Sequence, residues 1–349
     1  MKVLFVGEEN SINHYADTLR KALIANGLEV AMNVDDLWNE HPQYDIFHFN
    51  WWAWPSYNLE LNDENFQKIC NQIHHVKKYA KFVMTCHEIE RPNPFYYYDL
   101  AHNFYLKNCD AMIHLGQYTY DKLKQQNQEN NIKQYIIPHH IYDNYYRFDI
   151  SKNEARKRLK ISQQANVMLC FGDFRNNDER SLVYDAWQKV DYPHKYLLAP
   201  RFYRLRRNII LGFDTFVKAM QYKINGVHST GRAVPDNMLE TYFCAADVIM
   251  LQRRFIINSG NLPLGYQASK IVVGPDVGNV GPILHETHNP FFNPDDINSV
   301  KAAIEEGFRL SKTELPHKNH DYAYANWNVD KIAKQHIEVY RDILKTNNV

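Results

Sequence analysis

The sequence predicts a parallel α/β protein made of two doubly wound domains. Short apolar runs such as KVLFVG (2–7), KFVMTC (81–86), VMLCFG (167–172) and KIVVG (270–274) alternate with stretches of helical period. Strands buried on both faces read as continuous apolar runs, and strand–helix alternation builds parallel sheets. The alternation pauses once, at a polar segment near 141–162, and then resumes. A chain of 349 residues is long enough for two domains of ordinary size.

In the first half the apolar runs predict strands at 2–7, 28–34, 45–49, 81–86, 110–115 and 134–138. Helices are expected at 15–26, 66–79 and 118–126, the first stopped by Gly27 in the C-cap position. In the polar connection, Ser151 stands three residues before Glu154, a capping-box spacing. The basic cluster at 156–160 reads as a solvated helix face. Strands follow at 167–172, 195–199, 227–230, 247–251 and 270–274, with Pro235 suited to a first helical turn. Residues 326–344 read as one long amphipathic helix.

Charge and composition narrow the function. Forty basic and forty acidic residues leave no net field for nucleic acid, so no nucleic-acid partner is expected. No apolar run reaches the length of a membrane span, and the N-terminus leads straight into a strand, so a cytoplasmic protein is expected. Five widely spaced cysteines read as reduced core thiols. Seventeen histidines show no zinc spacing, and neither a metal nor a resident cofactor is expected.

Right-handed crossovers place the loops after each strand along one rim, where binding residues are sought. The first strand is followed by EENSINH, ending at His14, and the third by NWWAWP, with Trp51, Trp52 and Trp54. Tryptophans beside polar groups can stack on a sugar ring; the alternatives are a hydrophobic clasp or a partner surface. The fourth strand is followed by His87, Glu88 and Glu90. A histidine at a strand end can hydrogen-bond a reacting group, or be structural. In the second half, Arg253 and Arg254 precede Asn258, Ser259, Gly260 and Asn261. Asn and Ser can cap a helix there and Gly permits close approach, which suits an anion; the alternative is an ordinary capped helix with solvated arginines.

Three segments also resemble a known family. RRFIINSGNLPLGYQASKIVVGPDVG (253–278), VMLCFGDFR (167–175) and VPDNMLETYFCAADV (234–248) are similar to the donor side of GT-B glycosyltransferases related to glycosyltransferase family 4. The segment from Trp327 resembles the family's tail, and His87 falls where the family has a histidine after this strand. The resemblance covers the C-terminal half well and the N-terminal half weakly.

The resemblance implies two facing Rossmann-like domains with a central cleft: an acceptor domain at 1–150, a nucleotide-sugar domain at 151–325, and a tail at 326–349 crossing back to the first domain. It implies transfer from a nucleotide-sugar, the co-substrate, to a saccharide or lipid-linked saccharide acceptor, with retention and without a metal. The lipid-linked case implies peripheral contact with the inner face of a membrane. The diphosphate is expected at Arg175, Arg180, Arg253, Arg254 and the 258–261 helix opening, with Arg201 a further candidate. Arg232 and Val234 are expected at the nucleobase, and His14 and the tryptophans at the acceptor. His87 would lie near the bond being broken, and Glu88 or Glu90 would serve as base if the reaction inverts. One departure concerns two glutamates eight residues apart that many members carry. Here Ile256 and Leu264, or Asn258 and Tyr266, fill those places. Two other readings remain: a sugar-nucleotide epimerase on the same fold, and a non-catalytic glycan- or nucleotide-binding protein.

Overall fold

The computed structural model describes residues 1–7, 14–51, 62–89, 96–126, 132–203, 217 and 220–345. They form two compact units, Met1–Asn144 with Trp327–Val349, and Tyr145–Asn326.

Unit 1 holds a parallel sheet of β1 (Lys2–Val6), β2 (Glu29–Asn33), β3 (Ile46–Phe49), β4 (Lys81–Cys86), β5 (Ala111–His114) and β6 (Lys133–Ile136), in the order β2-β1-β3-β4-β5-β6. Its helices are α1 (Tyr15–Ala25), α2 (Asp63–Val76), α3 (Tyr96–Asn108) and α4 (Gln117–Gln126). α1 ends as its sequence predicts: Gly27 takes φ 88°, a left-handed value that costs glycine little. Strand side chains alternate between faces. On one face Phe49 and Phe82 pack with Tyr105 of α3. On the other, Val3, Phe5, Val83 and Ile113 join Tyr15, Leu19 and Leu23 of α1 in one buried cluster.

Unit 2 begins with α5 (Lys152–Arg158), β7 (Asn166–Leu169), α6 (Asn177–Lys189), β8 (Lys195–Leu198) and β9 (Val227–His228). It continues through α7 (Leu239–Ala245), β10 (Val248–Met250), α8 (Asn261–Gln267), β11 (Ile271–Pro275), α9 (Val280–Glu286), β12 (Phe291–Phe292), α10 (Ile297–Leu310) and α11 (Leu315–Trp327). Its strands are parallel, in the order β12-β11-β10-β7-β8-β9. Strand order therefore reverses between β1 and β3 in unit 1 and between β7 and β10 in unit 2. In open α/β sheets, ligands bind outside the carboxyl ends at such points.

The cluster at 156–160 is not simply a solvated face. Ser151 caps α5, its Oγ accepting from the Glu154 N–H at 3.2 Å, but Arg156 turns inward and is 2% exposed. Its Nη2 reaches Asp247 Oδ2 at 2.7 Å, its Nη1 the Gln163 carbonyl at 2.7 Å and its Nε the Ala245 carbonyl at 3.1 Å. The same Asp247 oxygen accepts from the Val167 N–H of β7 at 2.7 Å. A buried guanidinium is tolerated because its donors find acceptors.

The helix expected at 326–344 is present but starts three residues later, after the end of a separate helix. α11 stops at Trp327, and α12 (Val329–Lys345) restarts after Asn328. Asn328 Oδ1 accepts from the N–H groups of Asp330 (3.1 Å) and Lys331 (3.2 Å), which makes it a helix cap. Its Nδ2 donates to Asp143. α12 then lays Ile332, Ile337, Tyr340 and Ile343 into the α1 face of unit 1. The strand β12 and the helices α3, α9, α10 and α11 had no counterpart in the sequence reading. No helix of the described residues is long and apolar enough to cross a membrane.

Removing one partner of a buried ion pair leaves the other charge stranded, at a cost of about 3–5 kcal/mol. Asp247→Ala should therefore lower the unfolding free energy of unit 2 by about that amount, read as a shifted denaturation midpoint. A change below about 1 kcal/mol would show that Arg156 finds water instead.

Candidate functional site

At the β7/β10 reversal two loops meet. One leaves β7 through Phe171 and Gly172 to Arg175; the other leaves β10 through Gln252 to Asn261. The Phe171 carbonyl joins them, accepting from Gln252 Nε2 and Asn261 Nδ2 at 2.9 Å each. Glu179, the third residue of α6, joins them again. Its Oε2 accepts from Arg253 Nη1 at 2.7 Å and from the Arg175 backbone N–H at 2.7 Å. Asn176 caps α6, taking the Glu179 N–H at 2.9 Å.

The expected arginines are sorted by their contacts. Burial pulls the Arg253 pKa down; Glu179 opposes this and the like charge of Arg175 adds to it. Only Nη1 of Arg253 is engaged among the described residues, with Glu179 and, at 3.2 Å, the Gln252 carbonyl. The Arg175 side chain is exposed. Arg180 is committed to the loop, to the carbonyls of Phe202 (2.8 Å) and Phe174 (3.3 Å) and to Asn177 (3.1 Å). Arg254 turns to the Pro294 carbonyl (2.7 Å) and Asp295 (3.2 Å). Arg201 pairs with Asp173 at 2.5 Å. Exposed Arg232 and half-buried Val234 follow β9 and lead to Pro235, which precedes a 3₁₀ turn at Asp236–Met238. Thus Arg175 and Arg253 are brought together, while Arg180 and Arg254 are held elsewhere.

The helix opening differs from its sequence reading. α8 begins after Gly260 with no side-chain cap. Asn258 Oδ1 accepts instead from Asn279 Nδ2 at 2.9 Å, and Asn261 is spent on Phe171. The loop rests on Gly278, where φ is +59° and a Cβ would come 2.4 Å from the Ile256 carbonyl oxygen. Ser259 and Gly260 are partly buried at the start of the helix.

In unit 1, His87 is the first residue past β4. Its ring stacks on Trp51 (centroids 4.9 Å, 15° between planes) and meets the edge of Tyr15 at 4.6 Å. Tyr15 stacks on His140 at 4.6 Å and meets His139 at 4.8 Å. The ends of β3, β4 and β6 and the start of α1 therefore converge on one aromatic group, with one face of Trp51 covered by His87. Burial pushes the His87 pKa down to about 3, helped by His140, which itself falls to about 4. At neutral pH His87 is therefore a neutral ring, able to give or take a hydrogen bond. Below it, His48 bridges Tyr340 Oη (2.6 Å) and Thr85 Oγ1 (2.7 Å), joining α12 to β3 and β4.

His14 precedes α1 and is partly buried, as is Glu88, whose backbone carbonyl accepts from Cys86 Sγ at 3.7 Å. Trp52, Trp54 and Glu90 lie outside the described residues. Sequence reasoning missed Glu179, Tyr15, His139 and His140. The Asn176–Glu179 spacing was a capping signal, and the adjacent histidines after β6 stood at a strand end on the same rim.

The chain superposes on sucrose-phosphate synthase from Thermosynechococcus elongatus with a TM-score of 0.72 at 15% identity, covering 99% of each chain. A glycosyltransferase from Rickettsia africae gives 0.70 at 13%, covering 100% of this chain and 99% of that one. Anabaena HepE in complex with UDP-glucose gives 0.69 at 12%, covering 98% and 100%. The chain has the GT-B fold. Each GT-B half contributes one of the two strand-order reversals described above. No family model and no curated protein matches the sequence.

The buried histidines make a pH test. His87, His114, His140 and His336 all have pKa values lowered by burial, to between about 3 and about 4. Unfolded, each would titrate near 6.5. Between these values the unfolded chain binds more protons, so stability rises with pH there and is lost as pH falls. The melting temperature should be level above about pH 7 and fall steadily from about 6.5 toward about 4. A flat profile across that window would show that these rings are solvated.

Proposed function

We propose that this protein is a glycosyltransferase that takes a sugar from a nucleotide-sugar and passes it to a saccharide or lipid-linked saccharide. The observation that carries the reading is the pair of neighbouring cations Arg175 and Arg253, one exposed and one half-used, at the β7/β10 reversal. Two like charges held together favour an anion, and guanidinium forks suit phosphate oxygens. The complexes of similar structures support the reading: HepE with UDP-glucose, and the catalytic domain of starch synthase IV from Arabidopsis thaliana with ADP and acarbose.

In this reading the donor diphosphate takes Arg175, Arg253 and the backbone N–H groups at Ser259, Gly260 and Asn261. Arg232 and Val234 lie toward the nucleobase. The positive charge that stabilises the leaving diphosphate is assigned to guanidinium groups rather than to a metal ion. Unit 1 receives a sugar ring beside His87, whose neutral imidazole hydrogen-bonds the group being transferred. Among the described residues no side chain stands out as a covalent nucleophile, so retention rests on the family resemblance.

The first experiment is a thermal-shift screen with UDP-, GDP-, ADP- and dTDP-sugars, followed by hydrolysis of any donor that binds. Arg175→Ala removes a charge-assisted contact without disturbing a buried pair. It should weaken nucleotide-sugar binding by about 10-fold or more, with a larger effect at low salt. Unchanged affinity would remove Arg175 from the site. Arg253→Ala should weaken binding too, with a fall in melting temperature because Glu179 is left buried and unpaired.

A transition-state contact lowers kcat, whereas a uniform binding contact mainly raises KM. His87→Ala should therefore lower kcat with nucleotide affinity intact, and Trp52→Ala should weaken acceptor use while slow donor hydrolysis persists. The reverse pattern in steady-state kinetics would exchange the two roles.

A further inference from the structure

Asn50 is the first residue past β3, at the β1/β3 reversal. It is 1% exposed, and neither its Nδ2 nor its Oδ1 has a hydrogen-bond partner among the described residues. Buried amides normally use both groups, and leaving both unmet is costly. Thr85, level with it on β4, is engaged elsewhere, its Oγ1 bonding His48 at 2.7 Å.

The register places the amide. Val6, Phe49 and Met84 are aligned across β1, β3 and β4, so the next level holds Gly7, Asn50 and Thr85. Strand alternation puts Asn50 on the face of His48 and Thr85, away from the phenylalanine face. Two residues beyond Thr85 on that face is His87, stacked on Trp51, the residue after Asn50. At this level β1 supplies a residue with no side chain, and a Cβ at Gly7 would meet no atom of the described residues within 4 Å. The amide therefore sits buried at the strand-order reversal, next to an aromatic pair and level with a residue that has no side chain.

We propose that Asn50 is a sugar-recognising residue, its Nδ2 donating to one hydroxyl and its Oδ1 accepting from the adjacent hydroxyl of a ring bound at the β1/β3 reversal. That the ring is a transferred or accepting sugar rests on the glycosyltransferase reading. The chemistry selects this class of ligand. A hydroxyl both donates and accepts, so two adjacent hydroxyls satisfy both halves of an amide. A phosphate or carboxylate only accepts, and would leave Oδ1 facing another acceptor. An apolar group would satisfy neither.

The test uses the full chain and Asn50→Leu, which keeps the shape and removes both polar groups. Without ligand, Asn50→Leu should melt at or above the wild-type temperature, because an unmet polar group has been replaced. A drop of several degrees would show that the amide is structural and would overturn the proposal. Affinities for UDP, GDP and ADP should be equal in the two proteins. The kcat/KM for UDP-glucose, GDP-mannose or ADP-glucose, whichever the wild type turns over, should fall by about 10-fold or more. Asn50→Asp, which keeps an acceptor and loses the donor, should fall as well. An unchanged kcat/KM in Asn50→Leu overturns the proposal. If the wild type binds none of UDP, GDP, ADP and dTDP, the glycosyltransferase reading fails, and Asn50 is judged by saturation-transfer NMR with glucose, galactose and mannose. Ring-proton contact in wild type that is lost in Asn50→Leu supports the proposal; contact in both proteins or in neither overturns it.

Discussion

The geometry of the second unit depends on one buried carboxylate. Glu179 is 4% exposed and receives two donors on a single oxygen, one from the loop after β7 and one from the loop after β10. Taking a carboxylate out of water costs several kcal/mol unless charge and hydrogen bonds meet it, so neither donor can leave without penalty. One atom thereby sets the position of both loops at the strand-order reversal. It also orients Arg253 by one nitrogen and leaves the rest of the guanidinium uncommitted among the described residues. Gly278 supports the same arrangement from below, because only a residue without Cβ lets the turn at 277–279 lie against Ile256 and Ile257.

The first unit solves a different problem. Its switch point is lined by rings rather than charges, and those that titrate are kept neutral by burial. His140 shows the compromise. Its two nitrogens lie 2.8 Å from the Ile141 carbonyl oxygen and 3.1 Å from that of Tyr15, yet a neutral imidazole has one N–H to give. The hydrogen bonds favour the cation and burial favours the neutral ring; burial wins. The switch point of one unit is thus uncharged and aromatic, and that of the other is cationic.

Most strands and the parallel order were legible in the sequence because buried strands are continuous apolar runs. Helix α1 was legible through its period and Gly27. The tail helix was legible, but its start was placed three residues early because its amphipathic pattern runs through Asn328 without a break. Only the bonds from Asn328 to Asp330, Lys331 and Asp143 mark the restart. Arg156 was misread because a basic run looks solvated until its partner, 91 residues away, is known. At the site, the cations were legible as residue types but not as a set. Arg180 and Arg254 are drawn off by backbone carbonyls that no pattern in the sequence announces. The residues that organise the site, Glu179 and Tyr15, act through contacts that only the fold creates.

The break at Asn328 and the return of α12 make unit 1 discontinuous in the chain: its last helix is written after the whole of unit 2. On the ribosome, the sheet face carrying Val3, Phe5 and Val83 must therefore wait for Ile332, Ile337 and Tyr340. At about 5–20 residues per second, translating 145–326 takes on the order of 10–40 s. Unit 2 has its own core and can close in that interval, while the nascent first half presents bare apolar surface. The half made first is thus finished last, which makes it the part of the newborn chain most in need of a chaperone and most exposed to premature termination.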